Sequence, residues 1–308
     1  MIVSAVYGGK EEGKASAHNA KDIAGVLSSR GYTVHLIEFG DNIISKLKEL
    51  GTDVVYVCVQ GKGYGDGTLQ AILEHEKIPF TGSNMRAACL INDKILCKLL
   101  FDRAGIPTPK WDILSKKQYL EGNYPFEKFG FPFLAKAPTQ GGSYGIEIIR
   151  SIDDISRIEE VFRFDDPILI ESFIIGEDYT VGFYESNGQI VELPPVEVIE
   201  LSEKENSDNH LGIITGMCSA KECELSSELT ENISRTAQKV FDITGAKGLA
   251  RVDFKVDEKE QHPYVLEINA VPGLKKSSLM PKEAEIAGIN YEDMIEDILK
   301  SAEGLSHA

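Results

Sequence analysis

Four side chains near the C-terminus have types and spacing that suit a metal ion beside phosphate: Arg251, Asp253, Glu267 and Asn269. Polar and apolar residues alternate from Leu249 to Val256, which predicts a strand with Arg251 and Asp253 on one face. The stretch Tyr264 to Asn269 alternates in the same way, and the polar turn between the two stretches predicts antiparallel pairing. Carboxylate and amide oxygens suit Mg²⁺, which usually binds together with substrate phosphates. The alternative is a solvated sheet face that carries a salt bridge.

A glycine-rich loop, residues 137–145, lies between two short apolar stretches, Phe133–Lys136 and Ile146–Ile149. Because strands are predicted on both sides, the loop is neither a Walker loop nor a Rossmann turn, since each of these runs from a strand into a helix. We favour a hairpin lid, in which backbone N–H groups and the Ser143 hydroxyl cover phosphates and Lys136 supplies charge. An ordinary hairpin with a long loop is the alternative. The apolar stretch 168–174 is a predicted strand whose end could present backbone amides to an adenine edge.

Composition narrows the function classes. The chain has 308 residues, 42% of them hydrophobic, and a formal charge of −17. This acidity argues against nucleic acid and anionic membranes as partners, because both require clustered Lys and Arg. A small anionic ligand is still allowed, since local cations can reverse the field inside a cleft. No apolar run is long enough to span a bilayer. The five cysteines have no CxxC spacing, so we expect reduced thiols and a cytoplasmic location.

The order of strands and helices in the N-terminal part of the sequence predicts an α/β fold. Short apolar strands at 2–6, 33–37 and 53–59 alternate with helices at 16–29 and 43–50, which is typical of a doubly wound parallel sheet. Gly8-Gly9 follows the first strand, but no GxGxxG motif is present, which argues against a dinucleotide oxidoreductase. The four glycines of 61–67 indicate either close approach to a ligand or a mobile loop. One helix is predicted from Ala87 to Arg103, before an extended connector to a new domain.

Eight short motifs follow one another along nearly the whole chain: Gly61–Gln70, Pro79–Ser83, Asn92–Lys94, Gly105–Pro109, Gly141–Gly145, Ile170–Phe173, Gly248–Phe254 and Glu267–Leu279. In this order they resemble the ATP-grasp superfamily and, within it, the D-alanine–D-alanine ligases. The resemblance implies an α/β (α+β) architecture of three domains, with ATP held between the second and third. These are an N-terminal Rossmann-like domain at 1–84, a central lid domain at 85–175 and a catalytic domain at 176–308. It also implies a homodimer.

The same resemblance assigns roles to individual residues. The ATP-binding set is Lys94, Lys136, Gly141, Gly142, Ser143, Glu171, Ser172, Phe173, Ile174 and Asp178. Within it, the two lysines would hold phosphates, Glu171 to Ile174 would form the adenine hinge, and Asp178 would bind the ribose. The ligands of two Mg²⁺ (or Mn²⁺) ions would be Asp253, Glu267 and Asn269. The catalytic set is Arg251, the Gly273 N–H and Ser143. The substrate-binding set is Glu12, Gln60, Arg251, Gly273, Lys275, Ser278 and Leu279.

The implied reaction joins a carboxylate to an amine. The substrate carboxylate attacks the γ-phosphate of ATP to give an acyl phosphate, and the amine of a second amino acid then attacks the acyl carbon, with release of ADP and phosphate. Cations offset charge on the transferring group. Arg251 and the Gly273 N–H would stabilise the oxyanion, a donor of this kind being worth about 3–4 kcal/mol.

Departures from the family pattern cluster around the first substrate. The family glutamate after the first Gly-Gly aligns with Gly13, although Glu11 or Glu12 could replace it after a small slip. Gln60 stands at the position of a family histidine, Gly65 stands at that of a family glutamate, and Gly142 stands at that of the first serine of the lid. Residues 202–210 stand where the family has a Tyr-rich ω-loop.

We therefore expect a ligase whose first substrate is not D-alanine. The alternatives are a D-alanine–D-alanine ligase of cell-wall precursor synthesis and an ATP-binding protein without turnover. Lys275-Lys276 beside the second-substrate site predicts attraction of an anionic substrate group, and the alternative for this pair is two solvated loop lysines.

Overall fold

The computed structural model describes residues 1–9, 13–142, 144–200 and 218–305. Its strands form three separate sheets, and the helices cover them, so the predicted α/β class is confirmed. None of the described helices is both long and apolar enough to cross a lipid bilayer. The cysteines whose side chains are described, Cys58, Cys89, Cys97 and Cys223, are free thiols.

The N-terminal sheet is parallel. Its strands are β1 (Ile2–Tyr7), β2 (Thr33–Glu38) and β3 (Val54–Val57), in the order β2-β1-β3. Helix α1 (Gly13–Ser29) packs on one face, and helices α2 (Ile43–Glu49) and α3 (Thr68–Glu76) pack on the other. Because buried residues point to both faces of β1, the strand reads as a continuous apolar run. The predicted doubly wound arrangement is confirmed.

The single helix predicted for Ala87–Arg103 is wrong. The structure has two helices here, α4 (Met85–Ile91) and α5 (Lys94–Ala104). Asp93 interrupts the helix because its side chain accepts the backbone N–H groups of Ile95 and Leu96, as an N-cap does. The break places Lys94 at the first turn of α5, where its backbone N–H donates to the carbonyl of Pro138 at 3.0 Å.

The central sheet is antiparallel and carries the glycine loop. Its strands are β4 (Trp111–Leu114), β5 (Phe133–Lys136), β6 (Ile146–Ile149) and β7 (Ile168–Ser172), in the order β4-β7-β5-β6. The short helices α6 (Lys116–Leu120) and α7 (Ile158–Val161) accompany them. The β5–β6 hairpin pairs Lys136 with Ile146, so the predicted strands on both sides of the glycine loop are confirmed.

Among the described residues, the C-terminal sheet has six strands. They are β8 (Gly176–Ser186), β9 (Gln189–Glu192), β10 (Val196–Glu200), β11 (Cys218–Glu222), β12 (Leu249–Asp257) and β13 (Pro263–Asn269). The path is β11-β10-β8-β12-β13, with β9 paired to β8. Helices α8 (Ser227–Thr244), α9 (Leu279–Ile286) and α10 (Tyr291–Leu305) complete this part of the chain.

Burial on one face of β12 leaves the other face for polar side chains. Val252, Phe254 and Val256 pack against the apolar stripe of α8, which repeats at helical spacing from Leu229 to Phe241.

Residues of α4 and α5 belong to this same core, whereas α10 packs with β1 and α1 of the N-terminal sheet. The domain boundaries at 84 and 175 therefore stay predictions, because these cores join elements from both sides of them.

The predicted alternation in β13 needs one correction. Strict alternation from Tyr264 to Asn269 would place Leu266 and Ile268 together on the face opposite Glu267 and Asn269, but the structure buries Val265 and Ile268 and leaves Leu266 half-exposed. A bulge causes the shift, because Asp253 pairs with Glu267 while Phe254 pairs with Val265. The extra residue resets the alternation of side chains and keeps Glu267 and Asn269 on the polar face.

We predict that Gly248→Ala destabilises the fold more than Gly245→Ala. Both glycines have a left-handed φ, +70° and +71°, but only at Gly248 would a Cβ meet backbone, 2.9 Å from Gly82. The expected loss in the free energy of unfolding is about 1 kcal/mol for Gly245→Ala and about 2–4 kcal/mol for Gly248→Ala. Urea unfolding followed by circular dichroism measures both. Equal losses would contradict close packing between the start of β12 and residue 82.

Candidate active site

An open cleft of about 550 Å³ lies where the three sheets meet. Its walls come from the loop after β3, the first turn of α5, the glycine loop and the end of β13. The lining residues with polar side chains are Gln60, Asn92, Lys94, Gln140, Glu267 and Asn269. Sequence-distant segments therefore converge on one surface, and four of these six residues belong to the motifs at 92–94 and 267–279.

The polar face of β12 and β13 brings the four starting residues together. Arg251 faces Asn269 in register, and Asp253 faces Glu267, so the predicted antiparallel pairing is confirmed. Arg251 donates to both oxygens of Asp253, from Nε and from Nη2, each at 2.8 Å. Asn269 Nδ2 donates to Asp253 Oδ2 at 2.9 Å, and Thr180 donates to Asp253 Oδ1 at 2.7 Å. Each Asp253 oxygen thus accepts two hydrogen bonds.

Lys94 connects this face to the glycine loop. Its Nζ lies 3.1 Å from Glu267 Oε2 and donates to the Gln140 carbonyl at 2.7 Å. Burial alone would raise the pKa of Glu267, but Lys94, Lys136 and Arg251 together lower it. Glu267 is therefore ionised at neutral pH, and a cation already lies beside it.

A buried charge cluster underlies the glycine loop. The Glu171 carboxylate, 1% exposed, lies 2.7 Å from Lys136 Nζ and 2.5 Å from Lys98 Nζ. Lys98 also donates to the Thr108 hydroxyl. Burial alone would raise the pKa of Glu171, but the two lysines lower it, whereas burial lowers the pKa of Lys98. Lys98 was missed by sequence reasoning, although its spacing of one helical turn from Lys94 was a usable signal.

The segment predicted to form the adenine hinge follows Glu171 directly in the chain. Ser172 ends β7, and its backbone N–H donates to the Lys110 carbonyl at 2.8 Å. Phe173 and Ile174 follow in the connection to β8. Asp178, on β8, faces Lys255 across the sheet, and its Oδ2 accepts from Lys255 Nζ at 2.7 Å. Burial raises the pKa of Asp178, and Lys255 opposes that shift. Lys255 was not predicted, although it continues the face that carries Arg251 and Asp253.

The predicted second-substrate residues lie in the turn before α9 and at its first residues. Ser278 is the N-cap residue of α9, and its Oγ lies 2.8 Å from the position that a Cβ on Gly273 would take. Asn19 Oδ1, on α1, accepts the N–H groups of Leu274 at 3.3 Å and of Lys275 at 3.0 Å. Asn19 was missed because its segment lies at the other end of the chain.

The departures from the family pattern have distinct surroundings. Gln60 Nε2 donates to the Val271 carbonyl at 3.0 Å, at the edge of the cleft. A Cβ on Gly65 would lie 2.7 Å from the Val59 carbonyl oxygen, so this loop cannot accept a larger residue without moving. Glu11, Glu12, Ser143 and the segment 202–210 lie outside the described residues.

Comparison with known proteins gives consistent matches over this fold. The family model "D-ala D-ala ligase C-terminus" matches residues 100–300. The D-alanine–D-alanine ligase of Coprothermobacter proteolyticus is 32% identical over 306 residues, which cover 98% of this chain and 100% of the relative. That of Carboxydothermus hydrogenoformans is 32% identical over 310 residues, covering 97% of each. The crystal structure of the Bacillus anthracis ligase complexed with ATP has 28% identity and a TM-score of 0.83, covering 99% of this chain and 98% of that one.

The fold and the cleft define an ATP-grasp enzyme, a ligase that forms carbon–nitrogen bonds. Within that class, the chain belongs to the D-alanine–D-alanine ligase family. The resemblance seen in the eight motifs is confirmed at both levels.

We predict that Glu171→Gln lowers the free energy of unfolding by about 3–5 kcal/mol, because it leaves buried lysines without their carboxylate. Glu160→Gln is the matched control, since its pair with Arg163 is exposed, with side chains 50% and 72% accessible. That change should cost less than about 1 kcal/mol. Thermal and urea unfolding measure both variants. A Glu171→Gln protein as stable as the control would contradict a structural role for the cluster.

Proposed function

We propose that the protein joins two molecules of D-alanine at the expense of ATP, releasing ADP and phosphate. The observation that carries this proposal is the shared polar face of Arg251, Asp253, Glu267 and Asn269, with Lys94 held between Glu267 and the glycine loop. The relatives named D-alanine–D-alanine ligase match essentially the whole chain, which favours D-alanine over the different first substrate that the departures suggested.

The nucleotide would lie between the central and C-terminal sheets. Lys94 and Lys136 would contact its phosphates under the lid formed by Gly141, Gly142 and Ser143. The hinge Glu171–Ile174 would receive the adenine, chiefly through its backbone, because the Glu171 carboxylate is already between two lysines. Asp178 would accept from the ribose, with Lys255 holding its carboxylate in place.

The donor set fits a hard divalent cation. Asp253, Glu267 and Asn269 offer carboxylate and amide oxygens on one face, which suits Mg²⁺ better than a metal that prefers thiolate or imidazole. The side chains that now balance these carboxylates are cations and an amide, so the site already tolerates positive charge. When bound to these three residues, Mg²⁺ would offset the charge that develops on the transferring phosphoryl group.

The chain's own groups would then direct the second step. The amine of the second D-alanine attacks the acyl carbon, and oxyanion charge develops near Arg251 and the Gly273 N–H. The carboxylate of the second D-alanine would bind Ser278 and the N–H of Leu279 at the N-terminus of α9, where the helix dipole favours an anion. Gln60 lines the cleft, Lys275 lies in the turn before α9, and both would contact the substrates.

The test measures ADP release with D-alanine, L-alanine and a panel of other D-amino acids, with products identified by mass spectrometry. We predict turnover with D-alanine and loss of at least about 100-fold in kcat for Asp253→Asn and Glu267→Gln. Glu258→Gln, in the exposed turn between β12 and β13, is the control and should retain activity. Full activity in the Asp253 and Glu267 variants would overturn the metal role. Products formed only from another carboxylate would instead support a different first substrate.

A second prediction concerns the lysine pair. Lys275 is half-buried and Lys276 is exposed, with its ammonium 5.9 Å from the Tyr291 ring. Replacing both with Ala should raise the apparent KM for the second substrate by about two- to fivefold, the equivalent of an exposed ion pair, and leave the KM for ATP unchanged. Lys282→Ala on α9 controls for general charge. Unchanged kinetics would leave the pair as solvated lysines.

A further inference from the structure

Glu283 on α9 is a fully buried carboxyl group to which neither the sequence analysis nor the proposed mechanism assigns a role. Its exposed fraction is 0%, and its Oε2 accepts the backbone N–H of Gly182 at 2.6 Å. Its Oε1 is also buried and has no hydrogen-bond partner among the described residues. A buried acceptor without a partner is costly, so this atom calls for an explanation.

The geometry of β8 brings this carboxyl close to Arg251. Gly182 faces Arg251 in register, yet its N–H goes to Glu283 and its carbonyl accepts from Leu193, so both point away from β12. The two residues therefore form a non-hydrogen-bonded pair, the kind in which opposing side chains approach most closely. A Cβ on Gly182 would lie 2.7 Å from Glu283 Oε2. The carboxyl thus occupies the side-chain position directly opposite Arg251.

Two carboxyl groups therefore compete for one guanidinium. In the structure Asp253 holds Arg251 through both of its oxygens. The pKa of Glu283 is raised to about 8, because burial, together with Asp253, raises it more than Arg251 and the Gly182 N–H lower it. Glu283 is thus a second potential partner for Arg251, and it is neutral while Asp253 balances the charge of the guanidinium. Withdrawal of the Asp253 charge would favour its ionised form.

We propose that Glu283 is a positioning residue for Arg251: it holds the guanidinium when a bound cation takes the oxygens of Asp253. The inference rests on the proposed metal role of Asp253. A carboxylate cannot give both oxygens fully to a guanidinium fork and to a cation, so metal binding leaves Arg251 with unused donors. Glu283 Oε1 is the buried acceptor available to them, and this contact keeps Arg251 directed at the reacting carbonyl.

A double-mutant cycle separates this role from a purely structural one. Glu283→Gln keeps an acceptor for the Gly182 N–H but cannot carry charge, and Glu285→Gln on the same helix is the control. We expect Glu283→Gln to lower kcat about tenfold, Arg251→Ala to lower it at least about 100-fold, and the double variant to match Arg251→Ala within about twofold. A structural role would make the two losses multiply.

Binding provides a readout independent of turnover. If Glu283 accepts hydrogen bonds from the Arg251 guanidinium, the Glu283→Gln variant leaves Arg251 paired with Asp253. This pairing then competes with the binding of the cation. Calorimetry should then show ATP binding weakened about three- to tenfold by Glu283→Gln in the presence of Mg²⁺ and unchanged in the presence of EDTA. The melting temperature at pH 8 should be no lower than that of the unmodified protein, because Gln removes the cost of burying a carboxylate.

The outcomes distinguish the inference from the proposed function. Multiplicative losses, or equal weakening with and without Mg²⁺, overturn the role of Glu283 while leaving D-alanine ligation intact. Full activity of Asp253→Asn would instead remove the metal role on which the inference rests. Non-additive losses together with Mg²⁺-specific weakening support it.

Discussion

The pairing of β12 with both β8 and β13 determines which side chains can meet in the cleft. Antiparallel register places Asp253 opposite Thr180 on one side and Glu267 on the other, while Arg251 lies between Gly182 and Asn269. The bulge in β13 adds one residue between the pairs Asp253–Glu267 and Phe254–Val265, and it keeps Glu267 and Asn269 on the polar face. Because the opposite face of β12 packs against α8, a shift of one residue would bury charge and expose the core. The apolar core therefore fixes the polar site.

Charge balance follows from this arrangement. The chain carries a net charge of −17, yet the cleft gathers Lys94, Lys136 and Arg251 around its carboxylates. In a partly buried site, each carboxylate left without a cation would take up a proton or cost stability. The paired cations keep Glu267 and Glu171 ionised, as the lowered pKa values of both groups indicate. The protein thus keeps Glu267 in the ionised form that the proposed metal site requires.

Sequence patterns predicted the parts of this structure that depend on local order. Alternation in β12, the strands around the glycine loop and the parallel N-terminal sheet were all recognised, since periodicity and turns encode them directly. The break between α4 and α5 was missed although Asp93 is a good N-cap, because the apolar pattern runs through it. Thr180 and Asn19 were missed for another reason: only tertiary pairing brings them to the site. Lys255 was missed although the alternation of β12 places it on the face of Arg251 and Asp253.

Backbone contacts give a physical reason for one departure from the family pattern, in the loop that contains Gln60 and Gly65. Gly65 stands where the resemblance implies a glutamate, and a Cβ there would lie 2.7 Å from the Val59 carbonyl oxygen, so the path of this loop leaves no space for a side chain. The absence of a side chain at this position and the tight path of the loop therefore go together. Gln60, from the same loop, donates to Val271, just beyond the polar end of β13. The loop consequently borders the polar face of β12 and β13, where the proposed metal site lies. Under the proposed function, this loop would limit where a first substrate can lie relative to the phosphates, through backbone contacts that the motifs do not reveal.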